Sequence, residues 1–116
     1  MKAYDFDFNI DKRGLIHIGI MRLGIVFGKE AIKALGSPKT VSIGIDRENK
    51  VLGITKGIDD TKNYKFCEKG NEKWIRVNSK SIINEISKIT GIKYTNTAIK
   101  IICEKDGYFI IAKLGE

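Results

Sequence analysis

The stretch Ile25-Val26-Phe27-Gly28-Lys29-Glu30-Ala31-Ile32-Lys33-Ala34-Leu35-Gly36 decides the fold that we predict. Its first three residues are β-branched or aromatic and indicate a short strand. The apolar residues that follow, at 31, 32, 34 and 35, indicate two turns of helix with one buried face. Gly36 suits the position just after a helix end, and Pro38 prevents the helix from continuing. The stretch therefore predicts a strand that leads directly into a short helix.

The same outline returns fifty residues later, in the stretch Ile-Arg-Val-Asn-Ser-Lys-Ser-Ile-Ile-Asn-Glu-Ile at 75–86. Apolar residues at 82, 83, 86 and 89 predict an amphipathic helix over 81–89, which Asn78 or Ser79 can cap and Gly91 ends. An offset of 50 matches Ile25 with Ile75, Phe27 with Val77 and Ile32 with Ile82. We therefore predict an internal repeat.

Short strands surround the first helix. Residues 3–10 alternate aromatic and polar side chains, which predicts a strand with Tyr4, Phe6, Phe8 and Ile10 on one face. After a turn at 11–14, residues 15–20 alternate again and reach the strand at 25–27 through a second turn. Beyond the helix, 40–45 and 51–54 predict a hairpin around a polar loop at 46–50.

The second half follows the same order. Residues 64–67 and 74–77 predict a hairpin, with Trp74 and Arg76 on one face and Ile75 and Val77 on the other. After the second helix, 97–103 and 108–112 predict a last hairpin, whose Asp106-Gly107 is a strong turn signal. An offset of 57 matches this hairpin with the one at 40–54.

We thus predict an α+β protein made of two tandem β-β-α-β-β units, which form an intertwined, β-rich domain with pseudo-two-fold symmetry and short helices. The first unit covers 1–56 with an extra N-terminal strand, 57–63 is a linker, and the second unit covers 64–116. Each half of roughly 50 residues would be marginally stable alone, so one shared core is expected.

The chain carries 21 Lys and Arg against 14 acidic residues, a net charge of +7. This excess favours a polyanionic partner, because neutralising phosphates supplies most non-specific nucleic-acid affinity. A lysine-rich solvated surface is the alternative. No apolar run approaches the ~20 residues that cross a bilayer, and the N-terminus does not resemble a signal peptide, so we expect a cytoplasmic protein without membrane contact.

Residue types for metal or nucleophilic chemistry are sparse. Cys67 and Cys103 are 36 residues apart without a CxxC neighbour and are predicted to be structural thiols, with a disulfide or metal role as the alternative. His17, the only histidine, is expected to be a strand side chain. We predict no metal and no cofactor.

The repeated pattern resembles the AbrB/MazE/SpoVT-type swapped-hairpin (looped-hinge) family. In that family a hairpin leads into Val-x-Ile-Pro, then x-Glu-hydrophobic-basic-x-x-Leu-Gly and a second hairpin. Glu30, Leu35 and Gly36 take the corresponding positions here, with Lys33, one position further on, as the basic residue. Gly24 and Gly28 depart from it, standing where the family often has a basic residue and usually has Pro. The resemblance implies interlocked hairpins in a single-chain pseudo-dimer, and it implies DNA binding, since many members bind DNA.

The family comparison points to basic residues near the hairpin loops and strand-to-helix junctions as contacts for duplex DNA. Lysines serve as point charges for phosphates, whereas only the four arginines offer the planar fork that reads guanine edges. We therefore expect backbone-dominated binding. The predicted nucleic-acid-binding residues are Lys12, Arg13, Arg22, Lys29, Lys33, Lys73, Arg76, Lys80 and Lys88.

Enzymes and interaction proteins are the two other function classes. Catalysis is disfavoured, because the acid pairs Asp5/Asp7 and Asp59/Asp60 have no second histidine, GxSxG elbow or phosphate-binding loop beside them. The chain is also similar to small uncharacterised proteins of phages and mobile elements. The alternative function is therefore an inhibitor of a host defence system, which binds a host protein or sequesters a signalling nucleotide. A homodimer is left open.

Overall fold

The computed structural model describes residues 16–115, and the strand predicted over 3–10 lies outside them. The described chain is mixed and strand-rich, with two antiparallel sheets and two short helices, which confirms the α+β class. The elements in chain order are β1 (His17–Met21), β2 (Gly24–Gly28), α1 (Lys29–Ala34), β3 (Thr40–Asp46), β4 (Val51–Lys56), β5 (Asn63–Lys65), β6 (Trp74–Asn78), α2 (Lys80–Thr90), β7 (Ile99–Ile102), β8 (Glu104–Asp106) and β9 (Phe109–Lys113).

The two sheets share one arrangement. Sheet A has the order β6-β2-β1-β7, and sheet B has the order β5-β3-β4-β9-β8. The predicted hairpins β1–β2 and β3–β4 are both present, and each lies in the interior of its sheet. Strands from the second half of the chain flank them on both sides. The two halves are therefore interleaved within each sheet.

The hairpin predicted over 64–67 and 74–77 is not formed. Strand β5 pairs with β3, with Tyr64 opposite Val41, whereas β6 pairs with β2, with Ile75 opposite Phe27. The chain leaves β5 directly into the core, where the Phe66 ring meets the Phe27 ring edge-on at a centroid distance of 5.0 Å. The alternating pattern predicted both strands correctly. They do not pair with each other, because burial of Phe66 between the sheets separates them.

The last predicted hairpin is also different. Residues 99–102 form β7 and pair with β1 in sheet A, while the partner of β9 is the short β8 that follows. The chain changes sheets at Cys103, whose side chain is buried and whose N–H donates to the Ile16 carbonyl at 2.8 Å. The predicted Asp106-Gly107 turn is present, with Gly107 at φ 60°. The tandem β-β-α-β-β order of pairing is therefore not the one observed.

Both predicted helices are present. Helix α1 has six residues, of which Ala31 and Ile32 are buried, and Gly36 follows it at φ 81°. Helix α2 begins after Ser79, whose hydroxyl accepts a hydrogen bond from the Ile82 N–H at 3.3 Å, and ends at Gly91 in the left-handed conformation. These are the capping and termination devices that the sequence indicated.

One cluster of buried side chains joins both sheets and both helices. In sheet A the inward positions alternate along each strand, so that Ile18, Ile25, Phe27 and Val77 are all less than 5 % exposed. Sheet B contributes Val41, Leu52, Ile54, Ile110 and Ala112, each with no exposed surface. This leaves the opposite face of each sheet for solvent or partners.

Candidate nucleic-acid interface

The centre of the candidate interface is the antiparallel pair β2–β6. The bounds of β2, 24–28, and of β6, 74–78, differ by 50, and each strand leads within one residue into a helix. Val26 lies opposite Arg76 at the centre, with Ile25 opposite Val77 and Phe27 opposite Ile75. The pair therefore has a local two-fold axis through the residues that the offset of 50 makes equivalent.

The outward face of this pair carries the sole tryptophan. Alternation along β6 buries Ile75 and Val77 and exposes Trp74, Arg76 and Asn78. This confirms the prediction that Trp74 and Arg76 lie on the face opposite Ile75 and Val77. Trp74 is 64 % exposed. Its cross-strand partner is Gly28, which has no side chain to cover the indole ring.

Two residues of β1 and β7 extend this face across sheet A. The imidazole Nε2 of His17 lies 3.7 Å from where a Cβ on Gly28 would be, so His17 leans over the glycine beside Trp74. Lys100 pairs with Gly19, which pairs in turn with Val26 opposite Arg76. Because paired residues share a face, Lys100 and Arg76 belong to the same side of the sheet. The sequence analysis missed Lys100, since the pairing of β7 with β1 was not predicted.

Basic residues lie at both ends of the β2–β6 pair. At one end, Arg22 in the β1–β2 turn and Lys80 at the start of α2 line a depression of about 280 Å³ together with Leu23 and Asn84. At the other end, Lys29 follows Gly28 and Lys73 precedes Trp74, and Gly28 and Trp74 are cross-strand partners. We call this surface the basic ribbon, defined by Arg22, Lys29, Lys73, Arg76 and Lys80.

The remaining predicted residues lie elsewhere. Lys33 lines a cleft of about 560 Å³ with Lys56 and Lys105, between α1 and the β8–β9 hairpin. The Lys88 ammonium is 3.6 Å from the Glu85 carboxylate on the exposed side of α2. Lys12 and Arg13 lie outside the described residues. The structure thus brings five of the nine predicted residues to one ribbon.

Glu85 reduces the free positive charge on α2. Its carboxylate accepts a hydrogen bond from the Arg47 Nε at 3.0 Å, which ties the β3–β4 loop to the helix. This hydrogen bond, the Arg47 charge and the nearby Lys88 hold the pKa of Glu85 below its usual value. Arg47 and Lys88 are therefore partly neutralised, in contrast to the ribbon, whose residues form no ion pair within 4.0 Å with a carboxylate of residues 16–115.

A second surface was not predicted at all. On the outward face of sheet B, Gly44 and Gly53 are cross-strand partners, so bare backbone forms the floor of an apolar groove of about 530 Å³. Phe109, Ile111 and Ile58 line its sides. The buried Ser42 hydroxyl accepts from the Ile58 N–H at 2.9 Å and donates to the Asn63 Oδ1 at 2.8 Å, which fixes the loop at one end. Glycines in adjacent strands were the available sequence signal.

Neither of the two cysteines belongs to the basic ribbon. Cys67 and Cys103 are free and buried, and burial raises the pKa of both thiols, that of Cys103 to about 11. Within residues 16–115, no group of three or more His, Cys, Asp or Glu side chains could hold a metal ion. No helix in the same range is long and apolar enough to cross a membrane.

Comparison of the chain with protein-family models, with curated proteins and with solved structures returned no match. The arrangement of charge, aromatic surface and strand pairing described above is therefore the basis on which a function can be proposed.

Proposed function

We propose that this protein is a non-enzymatic DNA-binding protein, which contacts the backbone of duplex DNA through the basic ribbon. The observation that carries the proposal is the local two-fold at Val26 and Arg76, with cationic side chains at both ends of the strand pair and Arg76 at its centre. The net charge of +7 supplies long-range attraction to a polyanion.

The dimensions of the ribbon suit a DNA groove. Five strand residues extend about 16 Å, and the major groove is about 12 Å wide. Basic residues at the two ends can therefore reach phosphates on opposite sides of one groove while Arg76 faces its centre. Because lysines act as point charges, Arg22 and Arg76 are the two ribbon residues that can form a planar, bidentate contact. We expect affinity to come mainly from phosphates, with modest sequence preference.

We further propose that the chain is a duplicated swapped-hairpin protein, with one pseudo-dimer in one polypeptide. Strands β2 and β6 begin and end at positions that differ by 50, and a helix follows each of them. Both observations support the duplication. In such a chain, β5 and β7 have exchanged partners with the opposite half. Strand β5 pairs with residues that include Val41, and β7 pairs with residues that include Ile18. The DNA proposal does not require the duplication, because it depends on the ribbon alone.

The experiment is fluorescence anisotropy with a labelled duplex over a range of salt concentrations. With four phosphate contacts from the two ends of the ribbon, the slope of log K against log salt should be about −3.5 to −4. Arg22→Gln/Lys80→Gln and Lys29→Gln/Lys73→Gln remove the two ends separately, and each should weaken binding and lower the slope by about 2.

A matched control removes the same charge elsewhere. Lys93 and Lys113 are exposed and lie outside the ribbon, so Lys93→Gln/Lys113→Gln should leave the slope close to that of the wild type. Absence of any complex with micromolar protein at ~50 mM salt would refute DNA binding. An equal loss in the control and ribbon variants would refute the ribbon as the contact surface.

A further inference from the structure

A cleft separate from the basic ribbon has three lysines and an exposed aromatic ring. It lies between α1 and the β8–β9 hairpin, has a volume of about 560 Å³, and includes Lys33, Lys56, Lys105 and Tyr108 in its lining. The rest of its wall is apolar or backbone, contributed by Ala34, Leu35, Gly36, Pro38 and Gly107. Within residues 16–115, no acidic side chain lines it.

The positive charge of the cleft is uncompensated within the described chain. None of the three lysines is within 4.0 Å of a described carboxylate in an ion pair. Glu104 and Asp106 flank Lys105 in sequence, but alternation along β8 directs them to the opposite face of the strand. Three like charges around one concavity repel one another, and a bound polyanion relieves that repulsion.

Tyr108 is positioned to stack on a planar group. Tyr108 is 84 % exposed, the largest exposed fraction among the large hydrophobic residues of the described chain. Its backbone is nevertheless fixed, because the Thr55 hydroxyl donates to the Tyr108 carbonyl at 2.7 Å and Gly107 makes the turn before it. A held backbone with a free ring suits stacking, since little chain ordering remains to oppose binding.

Three carbonyls at the end of α1 already accept backbone hydrogen bonds. The Leu35 N–H donates to Ala31 O, the Gly36 N–H to Lys33 O and the Ser37 N–H to Ile32 O, at 3.0 to 3.1 Å. The polar groups available to a ligand in the cleft are therefore chiefly the three ammonium groups and the Tyr108 hydroxyl. This set offers donors to phosphate oxygens and one aromatic face.

We propose that this cleft binds a nucleotide with two or more phosphates, with the phosphate chain among Lys33, Lys56 and Lys105 and the base stacked on Tyr108. Lysine ammonium groups bind phosphates as point charges, and aromatic side chains stack on any base. The ligand class is therefore defined by its phosphates and by a planar base, not by base identity. The site is distinct from the basic ribbon, and the proposal does not depend on DNA binding.

Calorimetric titration of the full chain tests the proposal, with ADP as the probe and pyrophosphate and adenosine as its two parts. ADP should bind with a stoichiometry of one. Because stacking of one base contributes about 1–3 kcal/mol, pyrophosphate should bind at least about fivefold more weakly. Adenosine, which lacks phosphates, should give no measurable heat.

Two variants and a control locate the site. Lys56→Gln/Lys105→Gln should lower ADP affinity at least about tenfold, whereas Lys93→Gln/Lys113→Gln, with the same loss of charge, should not change it. Tyr108→Leu should reduce ADP affinity to that of pyrophosphate. Since all of these side chains are exposed, circular dichroism should show an unchanged fold.

The results that overturn the proposal are distinct. No heat with ADP at ~1 mM, an equal loss in the control variant, or a Tyr108→Leu protein that binds ADP as tightly as the wild type would each refute it. Duplex DNA binding measured in parallel separates the two proposals, because Lys56→Gln/Lys105→Gln should leave the anisotropy titration unchanged. Displacement of labelled duplex by ADP would also refute a separate site.

Discussion

Val26 and Arg76 face each other at the centre of the β2–β6 pair, and they are also fifty residues apart in a chain whose two strand-to-helix segments differ in position by fifty. Their pairing joins the two halves of the molecule along sheet A. It also places Arg76, Trp74 and Asn78 on the outward face of the sheet, while the inward neighbours of Arg76 are buried.

Trp74 should report directly on nucleic-acid binding. It is the only tryptophan and is 64 % exposed on the ribbon, so its emission should be that of a solvated indole and should be quenched efficiently by acrylamide. Addition of duplex DNA should shift the emission and reduce acrylamide quenching. Trp74→Phe should retain the salt-dependent slope, because the indole carries no charge. Unchanged Trp74 emission in a DNA complex confirmed by anisotropy would exclude the ribbon from the interface.

Two glycines should respond in opposite directions to the same substitution. A Cβ on Gly24 would collide with the Val77 carbonyl oxygen across the β2–β6 pair, and that backbone cannot move aside without breaking the pair. Gly24→Ala should therefore destabilise the protein by about 1–3 kcal/mol or more. Urea denaturation measures the change.

The matched control for Gly24 is Gly44, which lies within β3. An added Cβ at Gly44 meets nothing within 4 Å, and the residue has no positive φ. Gly44→Ala should be neutral or stabilise the protein by up to about 1 kcal/mol, because it restricts the unfolded chain. Equal destabilisation of both variants would show that the tight approach of Gly24 to Val77 is not the cause.

Ser42 should stabilise the loop at 57–62. Ser42 is only 7 % exposed, and its hydroxyl contacts the Ile58 N–H, the Thr61 hydroxyl and the Asn63 Oδ1 within 2.9 Å. Ser42→Ala leaves these groups without that partner and should cost about 1–3 kcal/mol. Hydrogen exchange should show faster exchange at Ile58 than in the wild type. An unchanged rate at Ile58 would mean that the hydroxyl does not hold the loop.

Stability should fall at alkaline pH because of Cys103. Burial raises the pKa of its thiol in the folded state to about 11, from its ordinary value of 9.0. The contribution is therefore fully present below pH 9 and is lost as pH rises towards 11, since the unfolded chain loses its proton first. Lysines also titrate in this range, so the informative quantity is the difference between wild type and Cys103→Ala. A constant difference from pH 8 to 11 would contradict the expected ionisation.

The local elements were accessible to prediction because their signals are periodic. Spacing at 82, 83, 86 and 89 indicated α2, and alternation placed Trp74 and Arg76 opposite Ile75 and Val77. The partners of the strands were not accessible, because an alternating strand fits any neighbour with a similar apolar face. Tyr64 and Ile101 were therefore predicted to pair within the second half of the chain, whereas both pair with strands of the first half.

The offset of 57 aligned buried positions with outward-facing ones. It matched Ile54 with Ile111, but Ile54 is fully buried and pairs with Ile110, while Ile111 pairs with Gly53 on the outward face. A shift of one residue exchanges the two faces of a strand. The offset of 50, in contrast, matches buried Ile25 and Phe27 with buried Ile75 and Val77.

Only part of the candidate site could be predicted from the sequence, for the same reason. Residues of one ribbon could be grouped from sequence, because Lys29 and Lys73 flank strands whose equivalence was predicted. The cleft of Lys33, Lys56 and Lys105 could not, because it requires α1 to approach a hairpin that begins seventy residues later. Such proximity is fixed by the order of strands in sheet B.

The interior position of the hairpins β1–β2 and β3–β4 also determines when the molecule can fold. Strands β6 and β7 complete sheet A, and β5, β8 and β9 complete sheet B. Neither sheet can therefore form completely until the second half of the chain is present. The pairs that join them connect residues about fifty or more positions apart, apart from β3–β5. Pairing at such separations is slow, and folding is expected in milliseconds to seconds, as for other proteins of high contact order. During synthesis, the two early hairpins leave the ribosome with strand edges that β5, β6, β7 and β9 cover only later.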